Sequence, residues 1–545
     1  MTKDRAVRRR TLFGAGATTG LFAGGVAAQP SRAAAAAPDP AFDTQVEELV
    51  ETSSATRTAL DGRYVQIAHR PVNLADRLPP GHVASDDATA VVEAALAETS
   101  HLEWPGTTLR LTRPVVVRSG AAIAGVAGAA AKIDHAGVGF EVAGALRGVT
   151  VQRQTVTVGL GAAGVWVPPG STGARVEDLD ITGDHGVNVL IGGDVATRTG
   201  TAVDALIQRV RAGRTEAASS YNFVIDDSRA TTLADCVGLG CALDNVKARV
   251  HARDYRLVGG RFTGSRGGDG IDAFGGGEGG YIGGGVVFED NAQNGICVKT
   301  DNINGMTLEQ QREQLGLPRQ TIIDGVIIRR SGGSGLCLHR SDGEDSDYVS
   351  SGAGDPSIPV PWLADLSVSS VVIEDPGLGL FINGYNYVID NLQIIRPRQQ
   401  GVKVHANARH HRLSRIAVRA AGYPQARTLV DGFLLLGKHL WLSQCAVYGQ
   451  VGEFVDDASL DTAPKYTRFG FNSGTGTGST HHFSQCAVSG TWYPALAGEA
   501  ATHGKHTDGD YESYASGFSL GGLWLRNNAG VLEKSSDGST GFSPV

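Results

Sequence analysis

Gly270-Ile271-Asp272-Ala273-Phe274, Gly295-Ile296-Cys297-Val298-Lys299 and Gly335-Leu336-Cys337-Leu338-His339 are three copies of one pattern. A small residue comes first, apolar residues take the second and fourth places, and the third and fifth places vary. Further copies run over Gly164–Pro168, Gly186–Leu190, Asn222–Asp226, Asn245–Arg249, Gly379–Asn383, Gly401–His405 and Gly432–Leu436. They recur every 22 to 25 residues, or at that interval plus an insertion. Short alternating strands at a period near two dozen residues mark a solenoid in which each repeat stacks on the last. Stacked strands lie about 4.8 Å apart, so residues remote in sequence become neighbours on one face.

A second ladder supports the same architecture. Val286, Val326, Leu392 and Cys236 each open a short apolar run, and each precedes the next small residue by nine places (Gly295, Gly335, Gly401, Asn245). Cys236, Cys445 and Cys486 occupy the first slot of such runs and read as small core residues. Abundant glycine (75 of 545 residues) suits many tight turns between short strands.

The segment leading into the repeats carries a resemblance. A helix-forming stretch after Asp86-Asp87, then Pro105-Gly106-Thr107, an apolar strand and the turn Ser119-Gly120 are similar to the opening of the pectate-lyase-like superfamily. The resemblance spans roughly residues 80–490. It implies an all-β, right-handed parallel β-helix with a short N-terminal helical cap and loop insertions. It rests on generic repeat features, so it speaks to architecture more than to activity. The expected organisation is an export signal at 1–37, a helical or linker segment at 38–80, the β-helix at 81–490 and a capping segment at 491–545.

Arg8-Arg9-Arg10 ahead of a weakly apolar run and Ala33–Ala37 has the parts of a twin-arginine export signal, which predicts an extracellular protein. No later stretch approaches the ~20 apolar residues of a membrane span. The net charge of −8 disfavours bulk nucleic-acid binding. Self-association is left open.

With the second and fourth residues pointing inward, the third and fifth are expected to point out. The third places read Trp166, Asn188, Val224, Lys247, Asp272, Cys297, Cys337, Phe381, Lys403 and Leu434. The fifth read Pro168, Leu190, Asp226, Arg249, Phe274, Lys299, His339, Asn383, His405 and Leu436. Both ends of this face are apolar and its middle is charged. Two insertions, 302–319 and 342–363, flank the charged rungs, where long loops in a compact solenoid commonly bind something. Cys297 and Cys337 share a slot at a spacing compatible with a disulfide.

A charged groove with aromatics suits a polysaccharide, and its cationic bias suits a uronic-acid polymer. β-Elimination needs a cation at the C5 carboxylate, a base for the C5 proton and an acid for the leaving oxygen. Lys299 and Arg340 are the expected neutralisers, His339 or Lys403 the base, and Asp272 and Asp301 further members of the catalytic set. Asp269, Lys247, Arg249, Phe274, Asp342, Asn383, Phe381, Lys403 and His405 are expected to line the substrate. Asp269, Asp272 and Asp301 form a candidate Ca²⁺ set, and no organic cofactor is expected. The alternatives are hydrolysis by paired carboxylates, uronate epimerisation, and a non-catalytic glycan-binding or tailspike-like protein. Asp269 also sits beside a turn, where Asp commonly caps backbone groups.

Overall fold

The small-residue slot follows from how the coils stack. A Cβ added at Gly295 would lie 2.3 Å from Ile328 Cγ2, one at Gly335 2.3 Å from Ile373 Cγ2, and one at Gly401 2.3 Å from Val418 Cγ1. A second-ladder residue of the following coil thus fills the space in front of each of these glycines, and a side chain in the small-residue slot would collide with it. Where the slot holds Asn222 and Asn245, the opposing position shrinks to Gly238, whose Cβ would meet both amides. The buried amides then bond along the stack: Asn188 Nδ2 to Asn222 Oδ1 (2.7 Å), Asn222 Nδ2 to Asn245 Oδ1 (2.7 Å) and Asn245 Nδ2 to Asn291 Oδ1 (2.9 Å).

The computed structural model describes residues 71–153, 161–193, 200–213, 220–249, 252–274, 279–300, 320–340, 365–406, 408–425, 430–450, 466–468, 470–473 and 481–489. It also describes the strand backbones Phe518–Ser519, Trp524–Asn528, Val531–Ser535 and Ser543–Pro544. The export signal, the segment to residue 70 and both insertions lie outside the described residues.

The chain is a right-handed parallel β-helix. Each full coil contributes one strand to a 13-stranded sheet and two strands, or one long bent strand, to a 27-stranded sheet. The bend is visible in Ser367–Glu374, whose first half pairs with Ile322–Asp324 and whose second half pairs with Ile327–Arg329. Ser370, between them, has φ 55°. Asn391 and Arg415 repeat that left-handed conformation on the next two coils, φ 56° and 51°. The interior is a continuous column of Val, Ile and Leu. Aromatics stack within it, Phe262 on Phe288 at 5.6 Å and Phe433 on Phe471 at 4.7 Å.

The helix Thr89–Glu98 forms where expected, with Val92 and Ala95 packed into the core. Asp87 accepts the Thr89 N–H at 2.9 Å, which satisfies an orphan donor of the first turn. The first strand of the large sheet, Val72–Asn73, pairs with His101–Trp104. Near the other end, Trp524–Asn528, Val531–Ser535 and Ser543–Pro544 make a separate antiparallel sheet.

Candidate functional site

The 13-stranded sheet carries the predicted columns. In strand register, Trp166 pairs with Leu190, then Val224, Lys247, Asp272, Cys297, Cys337, Phe381, Lys403 and Leu434. One copy slips by two: Leu190, not Asn188, belongs to the third place, and Gly192 replaces Leu190 in the fifth. Asn188 lies in the small-residue slot with Asn222 and Asn245. Val187–Ile191 is apolar at both phases except at Asn188, so its alternation left the phase open.

The columns face away from the core, yet the third one is covered rather than exposed. Trp166, Leu190 and Val224 form a second apolar cluster outside the coil, and Cys297, Cys337, Leu378 and Phe381 form a third. Between them lies an ionic cluster. Asp269 and Asp272 are each only 2% exposed, and Asp244 is also buried. The expectation of a fully exposed seam is therefore corrected: the acids lie beneath. The cations reach solvent, with side-chain exposures of 15% for Lys247, 21% for Lys299 and 25% for Arg249.

Lys247 and Lys299, one coil to either side, both pair with Asp272 Oδ2, Lys299 at 3.2 Å. Lys247 also reaches Asp244 Oδ2 at 3.3 Å, and Arg249 grips Asp226 at 3.0 Å. Asp272 Oδ1 is buried and has no hydrogen-bond partner. Burial works against the Lys247 charge, but Asp272 and Asp244 outweigh it and hold its pKa above the ordinary value. Lys299 follows the same logic: burial opposes its charge, and Asp272 helps raise its pKa. Burial pushes the Asp269 carboxyl up to about 8, with Asp272 and Asp244 adding repulsion.

Asp244 was not singled out from the sequence. It occupies the place before Asn245 that Asp269 occupies before Gly270, Asn294 before Gly295 and Ser334 before Gly335. Each of the first three caps the next coil: Asp244 Oδ1 accepts from Asp269 N (2.8 Å), Asp269 Oδ1 from Asn294 N (2.7 Å), and Asn294 Oδ1 from Ser334 N (2.8 Å). Asp269 thus has the backbone-capping role as well as its place in the cluster.

Further along, Phe381 is buried and Asn383 is buried, contrary to their expected exposure as substrate contacts. Lys403 and His405 are half-buried beside them. Lys403 Nζ lies 5.4 Å from the Phe381 ring centre, and His405 meets that ring edge-on at 6.2 Å. A cavity of 220 Å³ opens next to Phe381 and Cys337, walled by Gly332, Gly333 and Gly377. The backbone sets His339 beside Lys299, Arg340 beside Thr300, and Phe274 between Arg249 and Lys299. The side chains of Phe274, His339 and Arg340, and all of Asp301 and Asp342, lie outside the described residues.

Cys297 and Cys337 are direct neighbours but free thiols. Side chains paired in register on parallel strands project side by side at the strand spacing of about 4.8 Å, wider than the usual Cβ separation of a disulfide. A hydrogen bond with Cys337 and burial hold the Cys297 thiol protonated. Asp269, Asp272 and Cys297 bring donor atoms within 4.8 Å of one another. Asp269 and Asp272 of the expected Ca²⁺ set are thus neighbours, and its third member, Asp301, lies outside the described residues.

No protein-family model and no curated protein matches this sequence. Solved structures do. The N-terminal fragment of bacteriophage Phi29 gene product 12 matches with a TM-score of 0.50 at 12% identity, over 92% of this chain and 76% of that one. The catalytic unit of a GH87 α-1,3-glucanase from Streptomyces thermodiastaticus gives 0.42 at 14%, over 78% and 70%. The A-module of a mannuronan C-5 epimerase from Azotobacter vinelandii gives 0.36 at 13%, over 77% and 98%. The fold is the parallel β-helix that the sequence repeats predicted. At these identities the likeness extends to fold alone.

Proposed function

We propose that this protein is a carbohydrate-active enzyme that cleaves an anionic, uronic-acid polysaccharide along its 13-stranded face, by β-elimination. The observation that carries the reading is the layering of charge. Lys247, Arg249 and Lys299 present partly exposed cations over the buried carboxylates Asp226, Asp244 and Asp272. Lys247 and Arg249 on one rung and Lys299 two rungs on, about 10 Å away, thus offer positive groups along an extended polyanion. Asp272 keeps Lys299 protonated, which suits a neutraliser of the C5 carboxylate and unsuits it as a base. The base is assigned to His339, the next residue in the Lys299 column, with Arg340 as a second cation. Export directed by residues 1–37 fits a polymeric substrate outside the cell.

Hydrolysis is the second reading, favoured by one feature. Asp269 retains its proton at neutral pH, and the adjacent Asp272 carboxylate is bonded by two ammonium groups, so the two side chains could supply an acid and a carboxylate.

The test is incubation with alginate, polygalacturonate, hyaluronan and a neutral α-glucan. Ultraviolet absorbance from unsaturated chain ends in an acidic polymer supports elimination. New reducing ends without that absorbance favour hydrolysis. Absence of either product from every polymer defeats the enzymatic proposal.

A further inference from the structure

A different face of the molecule carries a second cluster of binding chemistry. Where the chain turns into the large sheet, Asn386, His410 and His439 occupy equivalent corners on three successive coils, with φ 61°, 61° and 55°. Aromatic rings gather there. Tyr385 meets His410 edge-on at 5.1 Å, and His410 stacks on His439 at 4.8 Å with the planes 14° apart. Trp441 lies 6.3 Å from His410 at 27°. Burial, His439 and Arg409 keep the His410 imidazole below its ordinary pKa, so that ring is uncharged at neutral pH.

These rings are open to solvent: Tyr385 is 45% exposed and Trp441 42%. Among the described residues, seven large apolar side chains are exposed, and four of them (Ile322, Tyr385, Val388 and Trp441) belong to this face. Ile322, Val388 and Trp441 share one outward column through Ser367 and Arg412. Single exposed apolar residues are ordinary, but four of the seven gathered on one face, interleaved with Ser367 and Arg412, set that face apart as an interaction surface. Arg409 bridges in register to both Tyr385 and Lys438, and Arg412 lies between Val388 and Trp441. Asp365, one coil earlier, is held by Asn386 Nδ2 at 2.7 Å.

We infer that this stripe is a second, non-catalytic docking site for an acidic polysaccharide. The apolar faces of pyranose rings lie on Tyr385 and Trp441, and carboxylate or sulfate groups take Arg409, Arg412 and Lys438. The two outer aromatics are two coils apart, about 10 Å along the axis at the strand spacing, near the length of a disaccharide. A second copy of the chain fits less well, because an isologous contact would set the same three cations against one another. The chain as a whole carries −8, so the three cations of the stripe stand out against an acidic background and draw a polyanion locally. The inference rests on the polysaccharide class proposed above, but not on chemistry at Asp272.

The test is native electrophoresis through gels cast with alginate, polygalacturonate, hyaluronan or neutral dextran. The wild type is expected to be retarded in at least one acidic gel and not in dextran. Tyr385→Ala/Trp441→Ala, which alters exposed rings only, should weaken that binding at least about tenfold with an unchanged melting curve. It should still turn over short soluble oligosaccharides. Lys299→Met should do the reverse, keeping the retardation while losing turnover, so failure of the catalytic reading and failure of this one are distinguishable. Three results would overturn the inference: no retardation of the wild type in any acidic gel, equal retardation of the aromatic variant, or a wild-type dimer in sedimentation that the aromatic variant abolishes. The last would assign the stripe to a second copy of the chain.

Discussion

Asp269→Asn is the substitution whose consequence can be worked furthest. The folded-state carboxyl titrates at about 8, against an ordinary value of 3.8. Between those values the folded chain holds a proton that the unfolded chain has released. Stability from this group is therefore lost as pH rises, at about 1.4 kcal/mol per pH unit at most. From pH 5 to pH 7 that amounts to roughly 2–3 kcal/mol. Asparagine keeps an acceptor oxygen for the Asn294 N–H and has no proton to lose. The variant should lack this pH dependence, and its advantage over the wild type should grow toward pH 8. Urea unfolding of both proteins at half-unit steps from pH 5 to 8 measures the difference, in which the titrations common to both cancel. Parallel curves would refute the argument and place Asp269 among ordinary ionised carboxylates.

Lys299→Met should lower stability by about 1–3 kcal/mol, because Asp272 is left buried with half its compensation. Adding Asp272→Asn should recover part of the loss, and strictly additive effects in that cycle would deny the pairing. Gly335→Ala should destabilise by at least about 1–3 kcal/mol, since its Cβ would lie 2.3 Å from Ile373 Cγ2, and a neutral melting temperature would show that the slot is not sterically required. Asn222→Ala severs the buried amide stack on both sides and should cost about 2 kcal/mol in chemical unfolding, while an unaffected midpoint would make the stack dispensable.

The solenoid was legible because three separate signals agreed: the glycine or asparagine slot, the apolar pair behind it, and the second ladder nine residues ahead. Strand alternation correctly brought Lys247, Asp272 and Lys299 onto adjoining rungs. It could not say whether an outward residue is covered, because periodicity records direction and not what lies above. Hence Phe381, Asn383, Asp269 and Asp272 proved buried. Asp244 stands one residue ahead of the pattern, as Asp269 does, but its copy opens with Asn245 instead of glycine, and the shared capping place was not recognised as a column. His410 and His411 are adjacent in sequence, yet the corner there separates their fates: His411 is buried against Tyr387, and His410 joins the ring stack beside the exposed Tyr385 and Trp441.

Charge recognition on the 13-stranded face can be isolated by changing the polymer instead of the protein. The measurement is the rate of chain cleavage on one uronic-acid polysaccharide and on its carboxyl-reduced, neutral form, matched in length and linkage. Lys247, Arg249 and Lys299 acting on substrate carboxylates predict cleavage of the acidic form, with a drop of roughly 100-fold or more on reduction. Equal rates on the two forms would contradict the account.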